Sequence, residues 1–402
     1  MKSIETKIPQ FYDILDEENE MVRRIYDVFL KQARNCGFLE IETTAVELKE
    51  RYLNATNVHF SKIFSVERAK QKSQYALQAD LAMGMSRFIA DLPTNEPTIK
   101  LMQLGKMYRD RIYNIPGYRR EFKQVLLGEW NVPSLFSDAE LINLIYRTLR
   151  KVDGAEIDHI EISNINIYNV IKDGLAEKIR FNGIEQLSKT SLSDSDKNLL
   201  LKLFEKGNVE FSDLEIIGEQ LNDLKIKDEL RKLNKIGSLL LNIFKIEDKI
   251  FFSFNNLEGT GHYSGLHYRI YMKIEDDIFL IGDGGRIDDL CSKFNKGKNV
   301  PAICMGIGIQ ILAQFIKPKH DDRVAILVDE SLIEEKWNQI TEMKKKLFEF
   351  SVSIIPESLS NKRKYFKSEF YSDHTFILIE KDNVTVRSND ISIKRKVLEK
   401  IS

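Results

Sequence analysis

Arginine is concentrated in one stretch of this sequence. Arg109, Arg111, Arg119 and Arg120 fall within residues 106–124, around Asn114, Pro116 and Gly117, the usual punctuation of a loop. A guanidinium presents a planar fork of donors that matches phosphate and carboxylate oxygens. A second stretch, residues 283–290, opens with Asp283, Gly284, Gly285 and Arg286. Its glycines let the backbone approach a ligand or a neighbouring strand closely. Together the two stretches could line a site for an anion.

Other chemistry-bearing residues are scattered. Asp80 stands just before an apolar helical pattern, where a carboxylate either holds a ligand or serves as an anion at a helix N-terminus. Tyr263 fits a half-buried strand or a pocket wall equally well. His262 and His267 are five apart on a strand-like run, so they project to opposite faces and cannot share a metal. Cys36, Cys291 and Cys304 are far apart and form no C-x-x-C pair. Neither a zinc site nor a disulfide framework is expected, and no metal or cofactor is assigned. Trp130 and Trp337 are expected in the core.

These residues need elements to position them. Val22, Ile25, Phe29 and Ala33 share one face of a first helix, with Gly37 as its stop. Alternation then predicts a strand at 38–42. Residues 100–104 and 121–130 read as two strands flanking the arginine loop, and a helix follows Ser137, which has capping-box spacing to Glu140. Residues 172–245 are rich in Lys, Leu, Glu and Asp at helical spacing and read as a helical insertion. Strand-like runs return at 250–254, 268–273 and 278–281, with an apolar helix near 307–316. Lys317-Pro318-Lys319 reads as a linker. The tail alternates strands (324–328, 351–355, 375–379) with helices (333–349, 391–401), the pattern of a small α/β unit.

The expected architecture is therefore α+β, a mainly antiparallel sheet flanked by helices. Its domains are 1–318, including the insertion at 172–245, and a small α/β domain at 321–402. The 402 residues are enough for a large core, with 60 basic residues against 61 acidic ones. That balance gives no global field toward nucleic acid or membrane. The start is polar and acidic, unlike a signal peptide, and no apolar run reaches the length of a membrane span. A reducing cytoplasm is the expected setting.

The order of motifs resembles the class II histidyl-tRNA synthetases and their paralogue, the regulatory subunit of short-form ATP phosphoribosyltransferase. The resemblance covers residues 8–316, with a fainter echo of an anticodon-binding domain in the tail. Tyr75-Ala76-Leu77-Gln78-Ala79-Asp80-Leu81 sits where the family has L-R-P-D/E-x-T. Met107-Tyr108-Arg109-Asp110-Arg111, then Gly117 through Gln124, is similar to class II motif 2. Ser137-Asp138-Ala139-Glu140 resembles the family's D-A-E helix start. Glu258 through Gly265 falls on the histidine loop R-G-L-D-Y-Y-T-G, Asp283 through Asp288 on G-G-R-Y-D, and Pro301 through Leu312 on motif 3.

The resemblance implies roles. Asp80, Arg120, Gln124 and Tyr263 would hold histidine or a related amino acid, and Arg109 would grip the α-phosphate. Gly284 and Gly285 would permit close backbone approach. It also exposes departures. Arg111 replaces an acid that helps place adenine, and Glu258 replaces an arginine of the activation step. Ile311 replaces the motif-3 arginine that meets the γ-phosphate. Loss of one such donor costs ~100- to 1,000-fold in rate, so no catalytic residue is assigned. The expectation is a non-catalytic subunit that activates a catalytic short-form ATP phosphoribosyltransferase, opening histidine biosynthesis. It would form dimers within a hetero-oligomer and use histidine as effector. The competing reading is a paralogue that activates an amino acid for a non-tRNA acceptor. A third is a nucleic-acid-binding scaffold, for which Lys362-Arg363-Lys364 is a dense but short basic cluster. Nucleic acid is not an expected partner on that evidence.

Overall fold

The computed structural model describes residues 8–51, 63–68, 71–93, 96–110, 118–154, 156–173, 187–246, 249–254, 263–295, 297–316 and 322–401. The chain divides into two compact units, Met1–Lys317 and Pro318–Ser402.

The strands of the first unit are β1 (Leu39–Glu40), β2 (Val46–Leu48), β3 (Ser65–Arg68), β4 (Gln71–Leu77), β5 (Ile99–Tyr108), β6 (Glu121–Trp130), β7 (Glu156–Asn164), β8 (Asn208–Val209), β9 (Lys249–Ser253), β10 (Leu266–Ile274), β11 (Asp277–Arg286) and β12 (Ala302–Ile307). Its helices are α1 (Asp16–Asn35), α2 (Leu81–Asp91), α3 (Leu135–Leu149), α4 (Ile165–Asp173), α5 (Asp194–Lys206), α6 (Phe211–Gln220), α7 (Leu224–Ser238) and α8 (Ile309–Phe315). Nine strands form one sheet in the order β1-β5-β6-β12-β11-β10-β7-β9-β8, and β2-β4-β3 form a second. In the large sheet only β1–β5 and β7–β9 pair in parallel. The α+β architecture, a mostly antiparallel sheet flanked by helices, is thus the observed one.

Local chemistry explains the elements. α1 buries Met21, Val22, Ile25, Phe29 and Ala33 along one stripe, carries Asp16, Glu17 and Glu18 in its first turn, and is followed by Gly37 at φ +83°. Burial of a side chain such as Phe29 contributes about 1.5–3 kcal/mol. α3 begins earlier than the capping-box spacing implied. Ser134 is its N-cap, Oγ accepting from Phe136 N at 3.2 Å, and Ser137 lies inside the helix. The apolar run near 307–316 is split, because Ile307 ends β12 and the helix starts at Ile309. Residues 208–209 join the sheet as a short strand against β9, within a segment otherwise read as helical.

The large sheet has an apolar core on each face. One contains α1, α3 and the helices of residues 194–238. The other is built from α2, Trp130, Ala302 and Cys304. Among the described residues no helix is long and apolar enough to cross a membrane.

The second unit has β13 (Arg323–Val328), α9 (Ile333–Lys346), β14 (Ser351–Pro356), α10 (Lys362–Phe366), β15 (His374–Ile379), β16 (Val384–Arg387) and α11 (Ile391–Ile401). Its sheet order is β14-β13-β15-β16, parallel except for the last pair. Trp337 corrects the core assignment: it is 49% exposed on α9, whereas Trp130 is fully buried. The helix buries Ile340 and Met343, and Trp337 falls off that stripe.

Candidate functional site

Side chains alternate between the two faces of a strand, and residues opposite one another across a ladder share a face. The register therefore sets out the site. Cys304 lies opposite Gly285 and Gly306 opposite Asp283. His267 is opposite Gly285 on one side and Ser163 on the other, and Arg269 is opposite Asp283 and Glu161. The face thus carries one row of Glu161, Arg269, Asp283 and Gly306, beside a second of Ser163, His267, Gly285 and Cys304.

Glycine is needed at these positions for different reasons. A Cβ at Gly284 would lie 2.3 Å from the Cys304 carbonyl oxygen. One at Gly285 would lie 2.4 Å from the Leu266 carbonyl oxygen and 3.1 Å from the Tyr263 ring. What these two glycines admit is neighbouring strand, together with Tyr263. The atoms nearest a Cβ at Gly306 are those of the Gln124 amide, at 2.5–2.9 Å, so Gln124 lies across that glycine.

Asp80 stands at the N-terminus of α2, its Oδ1 accepting from Ala82 N at 2.8 Å. It is an N-cap and remains half-buried. The neighbouring backbone is tied to the end of β5. Gln78 Nε2 donates to the Lys106 carbonyl at 2.7 Å, Tyr108 N to the Gln78 carbonyl at 2.9 Å, and Arg109 Nε to the Ala79 carbonyl at 3.0 Å. The Arg109 guanidinium also packs 5.5 Å from the Phe122 ring centroid. Among the described residues no carboxylate pairs with it.

Tyr263 links these parts. Its ring lies 4.7 Å from that of His267. Burial pushes its hydroxyl well above the ordinary tyrosine range, and the charges of Asp283 and Asp80 add to this while Arg109 opposes it. Burial, then Asp80 and Asp283, likewise raise the Cys304 thiol. Asp80, Arg109, Tyr263, Asp283 and Cys304 therefore occupy one electrostatic neighbourhood. Gln124 shares it through Gly306, the partner of Asp283.

The sequence motifs do not single out the buried polar floor. His267 is 2% exposed, with Nε2 2.6 Å from Asp283 Oδ1 and Nδ1 3.3 Å from Ser163 Oγ. Arg269 Nε lies 3.7 Å from the same Asp283 oxygen. Glu161 accepts from Tyr271 Oη at 3.3 Å and Asn208 Nδ2 at 3.4 Å, and faces His159 Nε2 at 3.6 Å. Burial disfavours charge on His159, but Glu161 and Asp158 outweigh it and hold the imidazole above its ordinary pKa. Burial also opposes charge on Glu161, yet His159 and Asn208 hold it below the ordinary carboxylate range. Polar residues at every second position, 161 and 163 or 267 and 269, in otherwise apolar strands were the available signal.

Other motif residues have structural partners. Arg120 ion-pairs with Asp110, donates to the Pro9 carbonyl at 3.4 Å, and lies 5.0 Å from the Phe64 ring and 5.7 Å from Phe11. None of these contacts is to Asp80, Gln124 or Tyr263. Arg119 forms a bidentate pair with Glu18, whose carboxylate also accepts from Gln310 Nε2. Ile311 is 8% exposed within the apolar core. Arg286 of the glycine motif pairs with the fully buried Asp138, which also accepts from Tyr268 Oη at 2.6 Å. Burial raises the Asp138 carboxyl, opposed by Arg286 and Tyr268. Arg111, Glu258 and His262 lie outside the described residues. Among the described residues no group of His, Cys, Asp and Glu is placed to hold a metal ion.

Residues 10–312 match the family model for histidyl-tRNA synthetase. The histidine–tRNA ligase of Saccharolobus shibatae is 24% identical, over 94% of this chain and 92% of its own. That of Finegoldia magna is 27% identical, over 75% of this chain and 74% of its own. Two solved structures share the fold. An ATP phosphoribosyltransferase regulatory subunit/histidyl-tRNA synthetase from Bacillus halodurans has a TM-score of 0.75 at 18% identity, covering 94% of this chain and all of that one. Histidyl-tRNA synthetase from Nostoc sp. PCC 7120 has a TM-score of 0.65 at 16% identity, covering 96% and 94%. The fold is that of the class II aminoacyl-tRNA synthetases, and with three quarters of its length matching the family model, this chain belongs to the histidyl-tRNA synthetase family.

Proposed function

We propose that this chain is a regulatory subunit that binds an amino acid without efficiently adenylating it. Its partner on this reading is a catalytic short-form ATP phosphoribosyltransferase, which it activates, with histidine as effector. It would act as a dimer within the cytoplasm. One observation carries the reading. Ile311, at the position of the γ-phosphate arginine in the family resemblance, is packed into the apolar core. An aliphatic side chain offers no charge to the transferring phosphates, and loss of such a donor costs ~100- to 1,000-fold. The groups that suit an amino acid, by contrast, share one neighbourhood. Asp80 faces an ammonium, Gln124 offers an amide, and Tyr263 offers a wall. The Bacillus halodurans structural neighbour bears the name of such a regulatory subunit.

A second reading keeps an activity. Arg109 has no carboxylate partner among the described residues, and both relatives named above are ligases. A paralogue that activates an amino acid for a non-tRNA acceptor would use that arginine on an α-phosphate. ATP–pyrophosphate exchange with all twenty amino acids, run beside co-purification with the short catalytic subunit, separates the two. The regulatory reading expects no exchange and a gain of phosphoribosyltransferase activity on mixing. Robust exchange with any amino acid would overturn it.

A further inference from the structure

We propose that residues 8–15 form a strap whose docking is coupled to the Asp80 end of the site through Arg120 and Arg109. The strap then acts as a conformational control on ligand binding, and that part of the inference rests on the amino-acid-binding reading above.

The strap lies at the surface. None of its residues is buried, and Ile8, Tyr12 and Leu15 are exposed. A segment that buries so little apolar surface opens at low free-energy cost. Its contacts converge on the two arginines just before β6. The Arg120 guanidinium lies between two rings, 5.7 Å from Phe11 and 5.0 Å from Phe64, which themselves meet edge to face at 5.6 Å. Arg120 also donates from Nη1 to the Pro9 carbonyl at 3.4 Å, and from its backbone N–H to the Gln10 carbonyl at 3.1 Å. Arg119 stacks 5.0 Å from Tyr12 and pairs with Glu18, where α1 begins. Gln10 has φ +60°, a left-handed conformation that a residue with a Cβ keeps only when its surroundings hold it. The docked strap is thus opposed by its own backbone.

The path inward is short. The Arg120 carbonyl accepts from Arg109 N at 2.9 Å, and Arg109 Nε donates to the Ala79 carbonyl at 3.0 Å. Ala79 immediately precedes Asp80, the N-cap of α2. A docked strap thus fixes Arg120, Arg120 fixes the Arg109 backbone, and Arg109 fixes the turn that presents the Asp80 carboxylate. Contiguous hydrogen bonds supply the route, and the docked and undocked strap supply the two states. Arg120 is therefore a positioning residue that acts through Arg109. A two-state element joined to a binding group shifts affinity by its own equilibrium, and the effect is reciprocal. Ligand held at Asp80 and Arg109 should favour the docked strap, and an undocked strap should weaken the ligand.

The test is hydrogen–deuterium exchange of the full chain, followed in peptides covering residues 8–18 and 79–83. Combining Phe11→Ala with Tyr12→Ala removes a ring from each guanidinium. Exchange should then quicken in both peptides, by about 5- to 30-fold in the strap, the equivalent of two cation–π contacts. Arg120→Lys keeps a charge facing Asp110 but loses the planar fork. It should shift both peptides in the same direction, and it replaces the double variant if that does not fold. Faster exchange confined to 8–18 overturns the coupling, because a merely structural strap leaves 79–83 at the wild-type rate. No change in either peptide overturns it too. Saturating histidine should slow exchange of 8–18 in wild type, and the double variant should bind histidine about 2-fold or more weakly in calorimetry. Equal affinity in the two proteins overturns control by the strap. Absence of histidine binding to wild type counts against the amino-acid-binding reading, and the ligand-free comparison then decides the coupling by itself.

Discussion

Arg286 Nε donates to Oδ1 of Asp138 at 2.9 Å, joining the end of β11 to the first turn of α3. The two residues come from motifs 148 positions apart, and they form one buried ion pair. Arg286 also donates to the Ser134 carbonyl at 2.8 Å, so a single side chain holds the helix start.

Arg286→Ala should destabilise the first unit by about 3–5 kcal/mol, because it leaves Asp138 buried and uncompensated. Arg286→Lys should recover only part, since an ammonium lacks the planar fork. Urea denaturation followed by circular dichroism gives the comparison.

Gly285→Ala and Gly306→Ala should behave differently. At Gly285 the new methyl meets Leu266 backbone, which cannot move aside, and a loss of about 1–3 kcal/mol is expected. At Gly306 its nearest neighbours are the end of Gln124, a flexible side chain that can rotate away. Gly306→Ala should keep near-wild-type stability and lose amino-acid affinity. Thermal melts and ligand titration on both variants check the contrast.

Asp80 has a cap role in the structure and a proposed ligand role, and two substitutions separate them. Asp80→Ala removes the cap and should cost about 0.5–2 kcal/mol. Asp80→Asn keeps a good N-cap while removing the charge. Its stability should match wild type while binding of an α-amino group weakens. Unchanged affinity in Asp80→Asn would leave Asp80 with the cap alone.

The His159–Glu161 pair predicts a pH dependence with two limits. His159 has a raised folded pKa, so its contribution is fully present below its unfolded value of about 6.5 and is lost as pH rises through the folded value. Glu161 has a lowered folded pKa, so its contribution is present above about 4.5 and is lost as pH falls through the folded value. His159→Gln should flatten the stability decline on the alkaline side. Chemical denaturation of both proteins across pH 5–9 (about half-unit steps) measures it.

Much of the fold was legible because periodicity is a local property. The apolar stripe of α1, the paired strands around the arginine loop and the alternating tail all follow from residue spacing. Boundaries were less legible where two signals overlapped. At 307–316 a strand end and a helix start are both apolar, and only hydrogen bonding separates Ile307 from Ile309. Trp337 reads as core by size, yet its angular position on α9 leaves it exposed.

The candidate site divides along the same line. By itself the sequence determined which candidate residues are present, namely Asp80, Arg109, Gln124, Tyr263 and the two glycines, and that position 311 is an isoleucine, where the family resemblance implies an arginine. Those are matters of identity and order along the chain. Tertiary structure decided what each one touches. It placed Arg120 on Asp110, gave Gly284 and Gly285 to neighbouring strands, and assembled His267, Arg269, Asp283 and Glu161 on one face. Cross-strand register makes those contacts between residues from 16 to more than 100 positions apart, and no local pattern encodes that register.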